Sequence, residues 1–253
     1  MKMPFLFIGH GSPMIALEKS PLTEKMRELG KALPTPKAIL AISAHWYLGG
    51  QYIQSDPKPR QIYDMGGFPR ELYELKYAVK GSAELSSRVE ELLGDEVAVN
   101  NDWGIDHGSW TVLTHLYPEA NIPVVQLSVD LRKTPENAVE LGSLLKPLRE
   151  EGYLLLGSGN IVHNLRRIHW NLLGGTTEAD EFDAWFKSKV EADDLGSLLD
   201  YKSHPSATYA VPTPDHLLPF FYIYGLREKD EKLEVFNEER TLGAISMTSY
   251  LFG

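Results

Sequence analysis

Apolar residues along this chain follow two alternating rhythms. Short, nearly unbroken runs of Val, Ile, Leu and Phe, most of them bounded by Gly, Pro or Asn, are separated by stretches in which apolar positions recur every three or four residues. The first rhythm reads as buried strands and the second as amphipathic helices. The runs predict strands over Phe5 to Ile8, Ala38 to Ile42, Tyr52 to Gln54, Val97 to Val99, Val124 to Val129, Tyr153 to Leu156 and Ala244 to Tyr250. In SAELSSRVEELLG, Ser82 offers a helix cap, Leu85, Val89 and Leu92 share one face, and Gly94 is a stop. In TPENAVELGSLLKPLREEG, Thr134 is placed as N-cap and Pro135 at the first helical position. There Ala138, Leu141, Leu145 and Leu148 repeat at core spacing, and Pro147 is expected to bend the last turn. A third helix, around Phe182, Trp185, Phe186 and Val190, follows the Gly174-Gly175 turn. This alternation implies an α/β fold: a single-domain layered sandwich over residues 1–253, with a mainly parallel, mixed central sheet flanked by helices.

Composition narrows the partners. With 43% hydrophobic residues, 253 residues can bury one sizeable core. A net charge of -10 argues against nucleic acid, because phosphate binding needs a basic face and only Arg166-Arg167 stands out. Without cysteine there is neither a disulfide nor thiolate chemistry, so a metal would have to be held by His, Asp or Glu. The apolar run after Met1-Lys2 is too short for a signal sequence or a membrane span, so no membrane partner is expected and the expected location is cytoplasmic.

Three of the predicted strands end alike. PFLFIGHGSP stops at Gly9 and then His10, KAILAISAHW stops at Ser43-Ala44 and then His45, and YLLLGSGNIVHN passes through the small residues Gly157 to Asn160 before His163. In open α/β sheets ligands sit outside the carboxyl ends of the strands, so three parallel strands would deliver three imidazoles to one edge. One buried histidine is more often a satisfied core residue, and small residues after a strand can mark only a tight turn. The threefold repetition favours a metal or acid/base site. His107, in NDWGIDHGSW, stands at the entrance to a helix carrying Val112, Leu113 and Leu116, where the helix N-terminus favours neutral imidazole. His216, in VPTPDHLLPFFYIYGL, follows Asp215 where two prolines set up a helix start, and reads as pointing into the same cleft. Taken alone, each of these two reads equally well as a capping or loop residue. His115, His169 and His204 read as surface or core.

Together GHGSP, SAHW, GGFPRELY, WGIDHGSW, VVQLSVD, GSGNIVHNLR and PTPDHLLP resemble, in order and over nearly the whole chain, the class III extradiol ring-cleavage dioxygenase superfamily (LigB-like). The likeness is greatest to its DOPA 4,5-dioxygenase subgroup. The resemblance implies a metal-dependent oxidoreductase that opens a catechol ring with O2, acting on 4,5-DOPA or a similar catecholic acid. It makes His10, His45 and His216 metal ligands, His163 the acid/base histidine, and His107 a second histidine lining the substrate pocket. Many members of the wider superfamily carry Glu as third ligand where this chain has His216, so the site loses one negative charge. A three-histidine set suits Zn(II), with His163 able to close it as a fourth ligand. Catalysis calls for Fe(II), because Zn(II) cannot donate an electron towards O2. On this reading His163 takes a catechol proton and later returns one. Trp46, Trp110 and Tyr63 are candidates to wall the ring, and Arg166 or Arg167 either pairs with a substrate carboxylate or faces solvent. Two other classes stay open. A zinc hydrolase would use Asp106 or Asp215 as base, although no HExxH pair is present. A binding protein of the Memo type would keep the pocket without turnover, which the five histidines disfavour.

Overall fold

The computed structural model describes residues 2–253. Ten strands form: β1 (Phe5–Gly9), β2 (Ile39–Leu48), β3 (Tyr52–Ile53), β4 (Ala98–Val99), β5 (Val124–Asp130), β6 (Leu154–Gly159), β7 (Leu233–Phe236), β8 (Arg240–Thr241), β9 (Ile245–Ser246) and β10 (Ser249–Phe252). Eight of them make one mixed sheet in the order β4-β3-β5-β2-β6-β1-β10-β7, while β8 and β9 pair separately. The centre, β5-β2-β6-β1, is parallel. β10 and β7 extend it antiparallel on one side.

The unbroken apolar runs are explained by burial on both sheet faces. Phe5 and Phe7 of β1, Leu40 and Ile42 of β2, and Leu155 of β6 point into one core, against Leu85 and Val89, Ala138 and Leu141, and Phe182 and Phe186 from three helices. The alternate residues Leu6, Ile8, Ile39, Ala41, Leu154 and Leu156 point into the other, against Met26, Trp110 and Leu113. The expected α/β sandwich is therefore what forms. Caps read in the sequence also hold: Ser82 accepts from the Leu85 N–H, Thr134 from the Asn137 N–H with Pro135 at the first position, and Gly94 closes the first of these helices.

Three local expectations change. Pro147 does not bend the helix Pro135–Leu144 but lies beyond its end, at the first position of a separate turn, Pro147–Glu150. Lacking an N–H, proline fits there and not in a helix interior. The run Ala244 to Tyr250 is not one strand: Ile245–Ser246 pairs with β8, and Ser249–Phe252 enters the main sheet beside β1. β2 continues past Ile42 to Leu48, with a register shift against β5 between Ile42 and Tyr47. His45 consequently lies inside the irregular part of that strand, where a bulge re-aims side chains.

Candidate metal centre

At the carboxyl end of the parallel strands lies a cavity of about 440 Å³, lined at its floor by His10, His45, His107, His163 and His216 together with Asp64. Each histidine arrives by its own route. His10 immediately follows β1 and its N–H donates to the Gly159 carbonyl, 3.1 Å away, at the tip of β6. His107 is the first residue of the helix His107–Leu116, which Asp106 caps by accepting from the Ser109 N–H. His163 follows β6 in a loop, not a helical turn, and its N–H donates to the Ala210 carbonyl over 2.9 Å. His216 precedes the helix Leu218–Tyr224, and its carbonyl accepts from the Asn160 N–H at 2.9 Å. Two glycines make this convergence possible. A Cβ on Gly159 would overlap the His216 carbonyl, and one on Gly108 would stand 2.9 Å from Cδ2 of the His45 ring.

His10, His45 and His216 each bring one ring nitrogen within 4.8 Å of the other two. Their opposite nitrogens fix the tautomers. Ser158 donates its only hydroxyl proton to the Gly108 carbonyl, so its oxygen accepts from His10 Nδ1–H at 2.9 Å. Carboxylates only accept, so Asp215 holds a proton on His216 Nδ1. Asp64 does the same for His107 Nδ1 at 2.9 Å and faces His45 Nδ1 at 3.3 Å. For His10 and His216, which burial keeps neutral, Nε2 is then a bare lone pair. That pattern, an imidazole braced by oxygen at Nδ1 with Nε2 free, is how proteins orient metal-ligating histidines.

The residues fit a metal ion on two further counts. His10 Nε2 and His45 Nε2 stand 3.1 Å apart. With the His10 proton held at Nδ1, its Nε2 lone pair meets His45 Nε2, which can either donate to it or share a cation with it. Two nitrogens each about 2.1 Å from one metal are about 3.0–3.4 Å apart, which brackets the observed spacing. In addition, His216 Nε2 is buried with no hydrogen-bond partner, a costly state for a polar atom that a metal would relieve.

Burial sets the charge state. It is the largest cause lowering His10 and His216 well below the ordinary imidazole value, with the neighbouring histidines adding to it. His163 is lowered to about 4, again first by burial, against an opposing pull from Asp215. His45 is lowered by burial and by His107, and Asp64 only partly offsets this. For Asp64, burial alone would raise the carboxyl, but hydrogen bonds and charge from His107 and the charge of His45 hold it below its usual range. Near pH 7, His10, His45, His163 and His216 are therefore neutral and Asp64 is ionised, the states that ligation and bracing require.

Sequence reasoning missed part of this site. Asp64 lies in a loop without periodicity, and Ser158 read as a turn residue when it belongs to β6. The aromatic walls also differ from expectation. Trp46 and Trp110 are buried in the structure, Trp110 donating to the Ile62 carbonyl at 2.9 Å, and Tyr63 donates to the Leu75 carbonyl at 2.7 Å. None of these three lines the cavity, whose aromatic walls are Phe68 and Trp170. Arg166 and Arg167 are exposed and do not line it. Asp106, considered as a hydrolytic base, is wholly buried; burial and the nearby Asp64 charge raise it to about 6, while Ser43 and Trp103 hydrogen-bond it. His115 is buried against the Ile15 carbonyl and His169 is exposed, as core and surface roles require.

Comparison with known proteins gives a consistent result. The family model described as the catalytic LigB subunit of aromatic ring-opening dioxygenase matches residues 4–253. A protein of Escherichia coli K12 named 4,5-DOPA dioxygenase extradiol is 40% identical, the match covering 100% of this chain and 95% of that one. The Beta vulgaris protein of the same name is 35% identical, over 97% and 95%. A crystal structure of an uncharacterised Escherichia coli K12 protein superposes with a TM-score of 0.88 at 36% identity, covering all of both chains.

Proposed function

The chain belongs to the family of the catalytic LigB subunit of aromatic ring-opening dioxygenases, and from that membership we propose that it cleaves catechols in the extradiol sense, with Fe(II) held by His10, His45 and His216. The observation that supports the ligand assignment is the convergence of one ring nitrogen from each of the three, with His10 and His216 braced by oxygen at Nδ1 and His45 facing the Asp64 carboxylate. The same three nitrogens suit Zn(II), and His163, which clusters with His216 and Asp215, is the candidate for a fourth ligand. Fe(II) is the redox-competent choice: when bound, it supplies a centre at which catechol and O2 meet and between which electrons pass.

The protein's own groups supply protons, orientation and exclusion of water. His163 lies flat against His216, with ring centroids 3.4 Å apart and an 8° interplanar angle. Neutral near pH 7 because burial lowers it to about 4, it is ready to accept a catechol hydroxyl proton; once charged, that same low value makes it a willing donor during ring opening. His107, its Nδ1–H held by Asp64, presents Nε2 in a fixed direction for a hydrogen bond with a substrate hydroxyl. Phe68 and Trp170 flank the ring's approach, and the apolar walls reduce competition from water. The relatives' names point to DOPA among the catechols accepted.

The test is to load the protein anaerobically with Fe(II), add a catechol and admit 18O2. Expected is a yellow ring-opened semialdehyde acid carrying two 18O atoms, formed by cleavage beside the two hydroxyl-bearing carbons. A colourless muconate, cut between the hydroxyls, or no O2 uptake by the Fe(II)-occupied protein, overturns the proposal.

A further inference from the structure

Resting on the ring-cleavage reading, the inference concerns which catechols the site prefers. The cavity has two chemically distinct halves. One part is the cluster of imidazoles with Asp64, and the rest is mostly apolar, including Met65, Phe68, Leu165, Ile168, Trp170 and Leu242, with Ser12 its one polar side chain. A catechol whose hydroxyls sit at the imidazoles must direct its ring substituent along that apolar part. No lysine or arginine among the described residues lines the cavity, and the one acidic residue that does, Asp64, would repel an anion. Arg166 and Arg167 neighbour the mouth in sequence, on the turn Leu165–Arg167, but both are exposed and point no group into the lining.

A carboxylate withdrawn from water needs a cation or several donors, and the single Ser12 hydroxyl of this lining leaves most of its desolvation uncompensated. An alkyl or ester tail has the opposite balance, because it gains from covering apolar wall. Leu165 and Trp170 stand 64% and 80% exposed at this mouth, so they have apolar surface still to cover. From this lining we infer that the protein selects catechols bearing an uncharged, apolar substituent over those whose substituent ends in a carboxylate. DOPA is then a substrate that turns over but is not the preferred one.

The test compares 3-(3,4-dihydroxyphenyl)propionate with its methyl ester, which differ in charge and by one methyl group, alongside 4-propylcatechol and DOPA. Binding is measured calorimetrically on the Zn(II)-loaded protein, and kcat/KM on the Fe(II)-loaded protein. Expected is a preference of about tenfold or more for the ester and for 4-propylcatechol over the propionate in both measurements. Equal or tighter binding of the propionate overturns the inference. If no catechol is opened by the Fe(II) protein, the ring-cleavage reading fails instead, and the binding ranking still judges the lining argument. Two variants separate the wall from its neighbours. Leu165→Arg, at an exposed position where folding is not at stake, places a cation at the mouth and should narrow or reverse the preference. Arg166→Ala/Arg167→Ala should leave the ratio unchanged; a loss of propionate binding in that variant would show that these arginines reach the tail and would overturn the inference.

Discussion

Replacing Asp64 by Asn tests the bracing of the site without removing any ligand. In the structure the Asp64 side chain is 11% exposed; one oxygen accepts from the His107 backbone N–H at 2.9 Å, and the other faces His107 Nδ1 at 2.9 Å and His45 Nδ1 at 3.3 Å. An amide has only one acceptor oxygen. If that oxygen keeps the backbone N–H, the NH2 group turns towards the two rings and donates where the carboxylate accepted. His107 would then have to accept at Nδ1 and carry its proton on Nε2, and His45 would lose the facing negative charge. The metal would lose the carboxylate that faces one of its ligands, and His107 would present an N–H towards substrate with Nδ1 no longer held by a carboxylate. Losing such an orienting carboxylate lowers metal affinity about 10- to 100-fold, or about 1.4–2.8 kcal/mol. Competition with a chromophoric chelator for Zn(II) and for Fe(II) measures this directly, and thermal unfolding of the apo-protein controls for a general loss of structure. Turnover at saturating metal should fall as well, because the His107 tautomer is wrong even when metal is restored. Metal affinity and kcat both within twofold of the parent protein, with Tm unchanged, would refute the tautomer reasoning.

Other expectations follow from the same geometry. His10→Ala and His216→Ala should each abolish stoichiometric metal while circular dichroism stays native, since both residues lie beyond the ends of regular elements; metal retained in either removes that residue from the ligand set. His163→Ala should keep metal and bind catechol but lose about two to four orders of magnitude in turnover; loss of metal would instead mark His163 as a fourth ligand. Gly159→Ala should displace His216 by forcing its carbonyl away and so weaken metal binding, whereas unaltered affinity would show that the close approach is not needed. Far from the site, buried Arg149 forks onto Glu231 at 2.5 and 3.1 Å, and Glu231→Gln should cost about 2–3 kcal/mol in urea unfolding at pH 7. Burial alone would raise the Glu231 carboxyl, but Arg149 and the Glu228 N–H hold it below its usual value. The pair therefore stabilises fully above the ordinary glutamate range and loses its effect as pH falls through the lower folded value, so the gap between parent and variant should close from about pH 5 downward. A gap that stays constant to pH 3 would contradict this linkage.

Local chemistry along the chain determined the parts of this protein that depend on neighbours in sequence. The run Phe5 to Ile8 reads as a strand buried on both faces because no polar position interrupts it, and Val124 to Val129 reads the same way although Gln126 and Ser128 punctuate it. Ser82, Thr134 and Pro135 begin helices by satisfying or lacking N–H groups within a single turn. The same locality exposed His10, His45 and His163, since a histidine after an apolar run and a small residue marks a strand's carboxyl end whatever lies beside it. Tertiary structure decided what depends on residues distant in the chain. Asp64 reaches His107 across 43 positions and Ser158 reaches His10 across 148, and no pattern in sequence predicts a hydrogen bond that only strand order creates. Trp110 and Trp170 illustrate the limit from the other side. An aromatic residue within a motif and one in a polar loop look alike in their suitability to stack on a ring. Only the packing of the helix His107–Leu116 against the sheet buries the first, and only the path of the chain after β6 sets the second at the cavity mouth.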